Sequence, residues 1–176
     1  MSAEYDEIRL AAVRIAIRES HLHVRETGMQ NRGTRIDDYL RAAGVSQRTI
    51  DDPTEQGAAN RMWCGMFIYY CYLQAVDGCR ELLPFDGSVL WGGRGLNNWA
   101  MRHAETVVTS QLVQPGDIFA LRNNHIGMAI SDADENKNFD TIEGNQSELG
   151  NNWDGIAIRN RQHHRNQNIC RVIVRI

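Results

Sequence analysis

Pro115-Gly116-Asp117-Ile118-Phe119-Ala120-Leu121-Arg122-Asn123-Asn124-His125-Ile126-Gly127-Met128-Ala129-Ile130-Ser131 is the stretch on which the fold turns. Pro-Gly-Asp is a turn signal. Ile118 to Arg122 then reads as a strand, Asn123-Asn124 as a tight turn, and His125 to Ser131 as its partner. Downstream the two-residue period continues. The polar run Asp132 to Asn138 is a loop, and Phe139 to Asn145 returns as a strand. Gly155 to Arg159 and Ile169 to Arg175 alternate in the same way.

Upstream the period is helical. Ile8, Ala11, Ala12, Ile15 and Leu22 form one stripe, with Glu4, Asp6 and Glu7 suited to the first turn. Thr34-x-x-Asp37 resembles a capping box ahead of Ile36, Tyr39, Leu40 and Ala43, and Gly44 stops that helix. A third helix is expected from about Trp63 to Ala75, and a short fourth carries Leu96, Trp99, Ala100 and His103. Helices followed by an antiparallel meander specify an α+β fold, N-terminal helices packed on a C-terminal sheet. No repeat, low-complexity tract or linker splits the chain, so residues 1–176 are expected to form a single domain.

Composition narrows the function. The chain has 176 residues, 42% of them apolar, and a net charge of −3, which gives no electrostatic case for nucleic acid. No stretch approaches the roughly 18 apolar residues of a membrane span. The opening Met1-Ser2-Ala3-Glu4-Tyr5-Asp6-Glu7 is acidic where a secretory leader is basic, and no apolar segment follows. The expectation is synthesis in the cytoplasm without a signal peptide. Cys64, Cys71, Cys79 and Cys170 include no Cys-x-x-Cys pair, so zinc is not expected. Cys71, Cys79 and Cys170 read as small buried hydrophobes.

Cys64 differs from them. It follows Ala59-Asn60-Arg61-Met62-Trp63 and leads an apolar run, which places its thiol near a helix N-terminus. There the helix dipole and unpaired N–H groups favour the thiolate, so Cys64 is a candidate nucleophile. Such a nucleophile needs a base, and the base needs an orienting group. In the strand after the Asn-Asn turn, His125, Gly127, Ala129 and Ser131 share a face, while Ile126, Met128 and Ile130 face the core. The small residues beside His125 leave room for a helix bearing Cys64. In the next strand Thr141, Glu143 and Asn145 share a face. A hairpin register pairs His125 with Glu143 or with Asn145, and opposed Cβ atoms lie about 4.5–5.5 Å apart. Either brings an acceptor to the imidazole.

These segments resemble the CHAP amidases (cysteine, histidine-dependent amidohydrolase/peptidase), a branch of the papain-like NlpC superfamily that cleaves bacterial peptidoglycan. Trp63-Cys64-Gly65-Met66-Phe67 is similar to that family's nucleophile segment, with Gly65 in place of the commoner Ala. Pro115-Gly116-Asp117-Ile118 and His125-Ile126-Gly127-Met128-Ala129 resemble its Pro-Gly-Asp and His-x-Gly strands. Thr141-Ile142-Glu143-Gly144-Asn145-Gln146-Ser147 resembles its Glu-Gly-Asn segment. Asn31-Arg32-Gly33 with Ile36-Asp37-Asp38-Tyr39-Leu40 resembles the helical lead-in of one bacterial subgroup. The resemblance implies a papain-like fold, Cys64 as nucleophile, His125 as base and Glu143 as orienting acid, assisted by Asn145. It implies no cofactor and a peptidoglycan stem peptide as substrate.

The backbone N–H of Cys64 is the expected oxyanion donor, with Asn60 as a candidate second one. Trp63, Asn60 and Trp91 are the candidates for substrate contact. Trp91 belongs to an insert over 82–95, with Trp91-Gly92-Gly93-Arg94-Gly95, that reads either as a groove lining or as a loop packed by one Trp. Asp132-x-Asp134-x-Asn136 with Glu143 in twelfth place mimics a calcium loop, but Lys137 stands where the sharp turn needs Gly, so no metal is expected. His21, His23, His103, His163 and His164 lack ligand-spaced partners. The expected function is hydrolysis of wall-peptide amides by a Cys-His-Glu triad. The alternative is a thiol acyltransferase or deamidase toxin acting on another amide. An interbacterial effector delivered by a secretion machine, of the type VI kind, or a phage-type lysin would fit. Either acts in the periplasm or cell wall, and an effector implies an immunity protein that plugs its groove.

Overall fold

The computed structural model describes residues 3–109, 112–147, 154–162 and 170–176. Six α-helices precede five strands: α1 (Ala3–Ser20), α2 (Thr34–Ala42), α3 (Gln47–Asp51), α4 (Glu55–Asn60), α5 (Cys64–Ala75), α6 (Gly93–Arg102), then β1 (Ile118–Leu121), β2 (Ile126–Ala129), β3 (Asn138–Ser147), β4 (Asp154–Gln162) and β5 (Cys170–Val174). Every sheet pairing is antiparallel and the strand order is β4-β3-β2-β1-β5. The fold is α+β, with helices against one face of the sheet. Among the described residues no helix is long and apolar enough to cross a membrane.

The sequence pattern explains the layers. α5 is apolar nearly all round, and it is buried from Cys64 to Phe67 and beyond on every side. Its flanks are covered by α1 through Ala12, Val13 and Ala16, by α2 through Ile36, Tyr39 and Leu40, and by the sheet through Ile126, Met128 and Ile142. A second, smaller cluster of Phe119, Leu121, Ala129, Phe139 and Ile173 covers the other sheet face. The alternation of β1 and β2 therefore separates two apolar layers, not one core from solvent.

Several expectations need correction. Leu22 lies beyond α1 and is 60% exposed, and Val13 and Ala16 complete the buried stripe instead. Thr34 is the first helical residue of α2, not its cap. Gly33 precedes it, and Asp37 is occupied by a two-pronged ion pair with Arg32 at 3.0 Å. The short helices α3 and α4, capped by Ser46 and Thr54, carried too little periodicity to be expected. β5 does not continue the meander beside β4 but crosses to pair with β1. Cys71 is buried as expected, whereas Cys79 is exposed after the Gly78 that ends α5's extension. Ile169, His163 and His164 lie outside the described residues, and so does the side chain of Cys170.

The turn that opens β1 is held by its own sequence. Asp117 N–H donates to the Gln114 carbonyl at 3.0 Å across Pro115 and Gly116, and Gly116 has φ 90°. Pro followed by a positive-φ Gly is the composition of a type II turn. A side chain at Gly116 would also strike Arg9, whose Cβ is 2.6 Å from the place a Cβ would take. The Tyr72 hydroxyl donates to the Gly116 carbonyl and fixes α5 to this turn. Asp117 itself is fully buried and accepts from Arg175 Nε at 2.8 Å and Nη2 at 2.7 Å, and from Gln114 N–H at 2.9 Å. The C-terminus of β5 is thus tied to the start of β1.

Removing one partner of a buried ion pair costs about 3–5 kcal/mol, since the other charge stays desolvated. Asp117→Asn is expected to lower the unfolding free energy by about 3 kcal/mol in urea denaturation. An unchanged midpoint would contradict the anchoring role.

Candidate active site

α5 begins at Cys64, where first-turn N–H groups have no intrahelical acceptor. What precedes it is fixed by buried polar contacts. The Arg61 side chain is 1% exposed and donates to the carbonyls of Thr49 (3.1 Å) and Asp52. Trp63 Nε1–H donates to Glu26 Oε1 at 3.2 Å, and Asn31 Nδ2–H to the Ala58 carbonyl at 2.9 Å. Together these pin the chain just ahead of the thiol.

His125 emerges at the other side of the site from the hairpin between β1 and β2. That turn uses three residues, Arg122-Asn123-Asn124, with Asn124 at φ 73°. Asn124 N–H donates to the Leu121 carbonyl at 3.1 Å, and Leu121 N–H to the His125 carbonyl at 2.8 Å. An αL residue closing a three-residue hairpin loop suits Asn. The Cys64 thiol and the His125 ring lie near enough to act on each other's ionisation, and the backbone N–H groups of Ile126 and Gly65 also favour the thiolate.

Glu143 completes the arrangement. Its Oε2 lies 2.9 Å from His125 Nε2, which leaves Nδ1 for the thiol. Oε1 accepts from the Thr141 hydroxyl at 2.6 Å. Glu143 is fully buried, Cys64 2% exposed and His125 7% exposed. Continuing the register Met128↔Ile142 and Ala129↔Thr141 sets Glu143 across from Gly127, so it reaches His125 diagonally. Gly127 makes this approach possible, because a Cβ there would lie 2.7 Å from Glu143 Cγ and 2.4 Å from the Phe119 ring. The space beside His125 is therefore filled by Glu143 and Phe119. The helix bearing Cys64 packs on the opposite face, against Ile126, Ile142 and Gly144, and the thiol meets His125 at the end of the sheet.

Asn145 is not part of this constellation. A bulge shifts the β3–β4 register between Glu143↔Ala157 and Gln146↔Gly155, with Asn145 at φ 57°. One extra residue turns every later side chain to the other face. The Asn145 amide donates instead to Asp154 Oδ2 at 3.0 Å and Glu26 Oε1 at 3.3 Å. Gln146 takes the position that a regular strand would give Asn145, with its amide nitrogen 3.1 Å from His125 Nε2 and 3.4 Å from Nδ1. The Gly144-Asn145 pair was the signal for this bulge, an isolated glycine within a strand pattern. Gly144 also gives way to Trp63, whose ring lies 2.7 Å from where a Cβ would stand.

The remaining candidates divide. Trp63 is fully buried and holds Glu26, so it is a packing residue and not a substrate contact. Asn60 is exposed at the end of α4, where its side-chain Oδ1 accepts from Gln56 Nε2–H at 3.1 Å, and it is not among the groups that act on Cys64. Trp91 is 47% exposed, with its indole N–H donating to the Ala43 carbonyl at 3.1 Å. Its segment has a structural role that the sequence did not disclose. A Cβ on Gly65 would lie 1.8 Å from the Leu90 carbonyl oxygen, so the insert rests directly on the first turn of α5. Asn124 clasps the same insert from the His125 side, its carbonyl accepting from Gly93 N–H at 3.0 Å and its Oδ1 from Arg94 N–H at 2.8 Å. The calcium-like loop is closed by its own residues. Asp134 accepts from Asn138 N–H at 2.8 Å and Nδ2–H at 3.0 Å, while Glu143 is engaged with His125 and Thr141. Among the described residues no group of three or more His, Cys, Asp or Glu side chains is placed to hold a metal.

The electrostatics follow from these contacts. Burial pushes the Cys64 thiol up, but the His125 hydrogen bond and charge, with the Ile126 and Gly65 N–H groups, together bring it below its ordinary value. Burial also disfavours the His125 imidazolium, and the hydrogen bonds and charges of Cys64 and Glu143 outweigh it, raising the group to about 9. Both shifts act in the direction of a thiolate–imidazolium pair, with the Glu143 carboxylate behind it. Comparison of the chain with family models, with curated proteins and with solved structures finds no match.

Gly65→Ala is expected to force the insert off α5. Overpacking of this kind costs about 1–3 kcal/mol, visible as a lower Tm. A variant as stable as the parent would mean that the Leu90 carbonyl does not press on α5.

Proposed function

We propose that the protein is a cysteine amidohydrolase of the CHAP type whose substrate is an amide bond of the peptidoglycan stem peptide. One observation carries the reading: Glu143 is hydrogen-bonded to His125, which sits beside the Cys64 thiol at a helix N-terminus and favours its ionised form. The order of the segments supplies the substrate class through their resemblance to that family. Delivery to the wall of a target cell, and an immunity protein that blocks the site, belong to the same proposal.

In this scheme the Cys64 thiolate attacks the amide carbonyl carbon and forms a C–S bond. The oxyanion is received by the Cys64 backbone N–H in the first turn of α5. Gln146, whose amide nitrogen lies against the His125 ring, replaces Asn60 as the candidate second donor. The His125 imidazolium passes its proton to the leaving nitrogen, and the C–N bond breaks to give a free amine and a thioester. Neutral His125 then takes a proton from water, hydroxide attacks the thioester, and Cys64 departs as thiolate. Glu143 holds the imidazole orientation throughout and balances its charge.

The test is digestion of purified sacculi followed by mass spectrometry. The parent protein is expected to release fragments with one new amine per cleavage, and Cys64→Ala to fall by at least about a thousandfold. Undiminished release by Cys64→Ala would sink the proposal.

A further inference from the structure

Outside the catalytic series, α5 and the insert enclose a second feature. An open cavity of about 340 Å³ is lined by Tyr69, Arg80, Phe85, Asp86, Trp99 and Arg102, among others. Its aromatic side is ordered: Phe85 meets Trp99 edge-on at 5.8 Å and lies tilted against Tyr69 at 6.3 Å, and Trp99 stacks on His103 at 4.3 Å. Tyr69 is fully buried, yet its hydroxyl has no hydrogen-bond partner. A buried donor left unmade is costly, and it marks a place where a partner belongs.

The charges at the rim have both signs. Arg80 gives one N–H to the Ala42 carbonyl at 2.9 Å and Arg102 has no ion-pair partner among the described residues. Asp86 accepts through Oδ1 from the Ser88 hydroxyl and from Ser88 N–H at 2.8 Å, and these bonds hold its carboxylate below the usual range. Arg80, Asp86 and Tyr69 line the same cavity. A purely anionic ligand would be repelled by Asp86, and a purely cationic one by the two guanidinium groups. A ligand bearing both charges on one carbon meets every group present, and the aromatic wall suits a short aliphatic body beside them.

We propose that this cavity is a binding site for a zwitterionic amino-acid group, its carboxylate held by Arg102, Arg80 and the Tyr69 hydroxyl, its ammonium by Asp86, and its aliphatic part by Phe85 and Trp99. The site lies on the insert that rests on α5, and Tyr69 follows Cys64 by five residues, about 7.5 Å along the axis of that helix. The proposal stands whether or not Cys64 is catalytic.

The experiment uses three small probes on the full chain: norleucine, both hands, which carries the two charges; hexanoate, which lacks the ammonium; and pentylamine, which lacks the carboxylate. Binding is read from the assigned Trp99 indole N–H signal by NMR, in the parent, Cys64→Ala, Tyr69→Phe and Arg102→Gln proteins. At least one hand of norleucine is expected to shift the signal saturably in the parent and equally in Cys64→Ala. Both half-probes are expected to bind at least tenfold more weakly, and norleucine about fivefold more weakly to Tyr69→Phe and to Arg102→Gln, the loss of one hydrogen-bonding group in each. No saturable shift with norleucine, equal affinity for all three probes, or parent-like affinity in either Tyr69→Phe or Arg102→Gln would overturn the proposal.

Discussion

The site is built around a cysteine and a histidine held almost out of water. At 2% and 7% exposure, Cys64 and His125 in their charged forms lose most of their hydration. An isolated buried charge costs several kcal/mol, so the pair persists only where each charge is met from every side. The structure meets both. The His125 ring and the N–H groups of Ile126 and Gly65 favour the thiolate, and Glu143 closes the other side of the ring. Thr141 then occupies the free carboxylate oxygen, which limits Glu143 to one orientation.

That demand explains the glycines around it. Gly127 lets Glu143 cross under His125, Gly144 lets Trp63 lie on β3, and Gly65 lets the Leu90 carbonyl reach α5. Each is a close approach in which a methyl group would strike backbone or a ring. Gly65 is the position where the chain departs from the family pattern it resembles, and the departure has a steric reason. The insert over 82–95 needs that space to pack between α5 and the Asn124 turn that leads into His125.

Much of this was legible in the chain. The change of period at Pro115-Gly116-Asp117 separates helices from strands; helix-start chemistry and strand facing point to Cys64 and His125 and leave Glu143 and Asn145 both open as the acceptor. The faces themselves were less certain because both sides of this sheet are apolar. Small residues beside His125 invited a helix, but the partner they admit is Glu143. Asn145 was misplaced because period two holds only until a bulge, and it gave its position to Gln146. Trp63 carried no mark that distinguishes a buried tryptophan from one in a groove, since its indole partner, Glu26, lies far away in sequence. The crossing of β5 to β1 is equally non-local, resting on Arg175 and Asp117.

The central claim is that Cys64 and His125 share a proton as a thiolate–imidazolium pair, with Glu143 behind it. Titration of the His125 ring by nitrogen-15 NMR tests this most directly, in the parent and in Cys64→Ser. In the parent the ring is expected to stay protonated through neutral pH and to titrate at about 9, against 6.5 for an unperturbed histidine. In Cys64→Ser, with no thiolate to face it, the value is expected to fall well below that of the parent. A His125 ring already neutral at pH 7 in the parent, or an identical titration in the two proteins, would contradict the account.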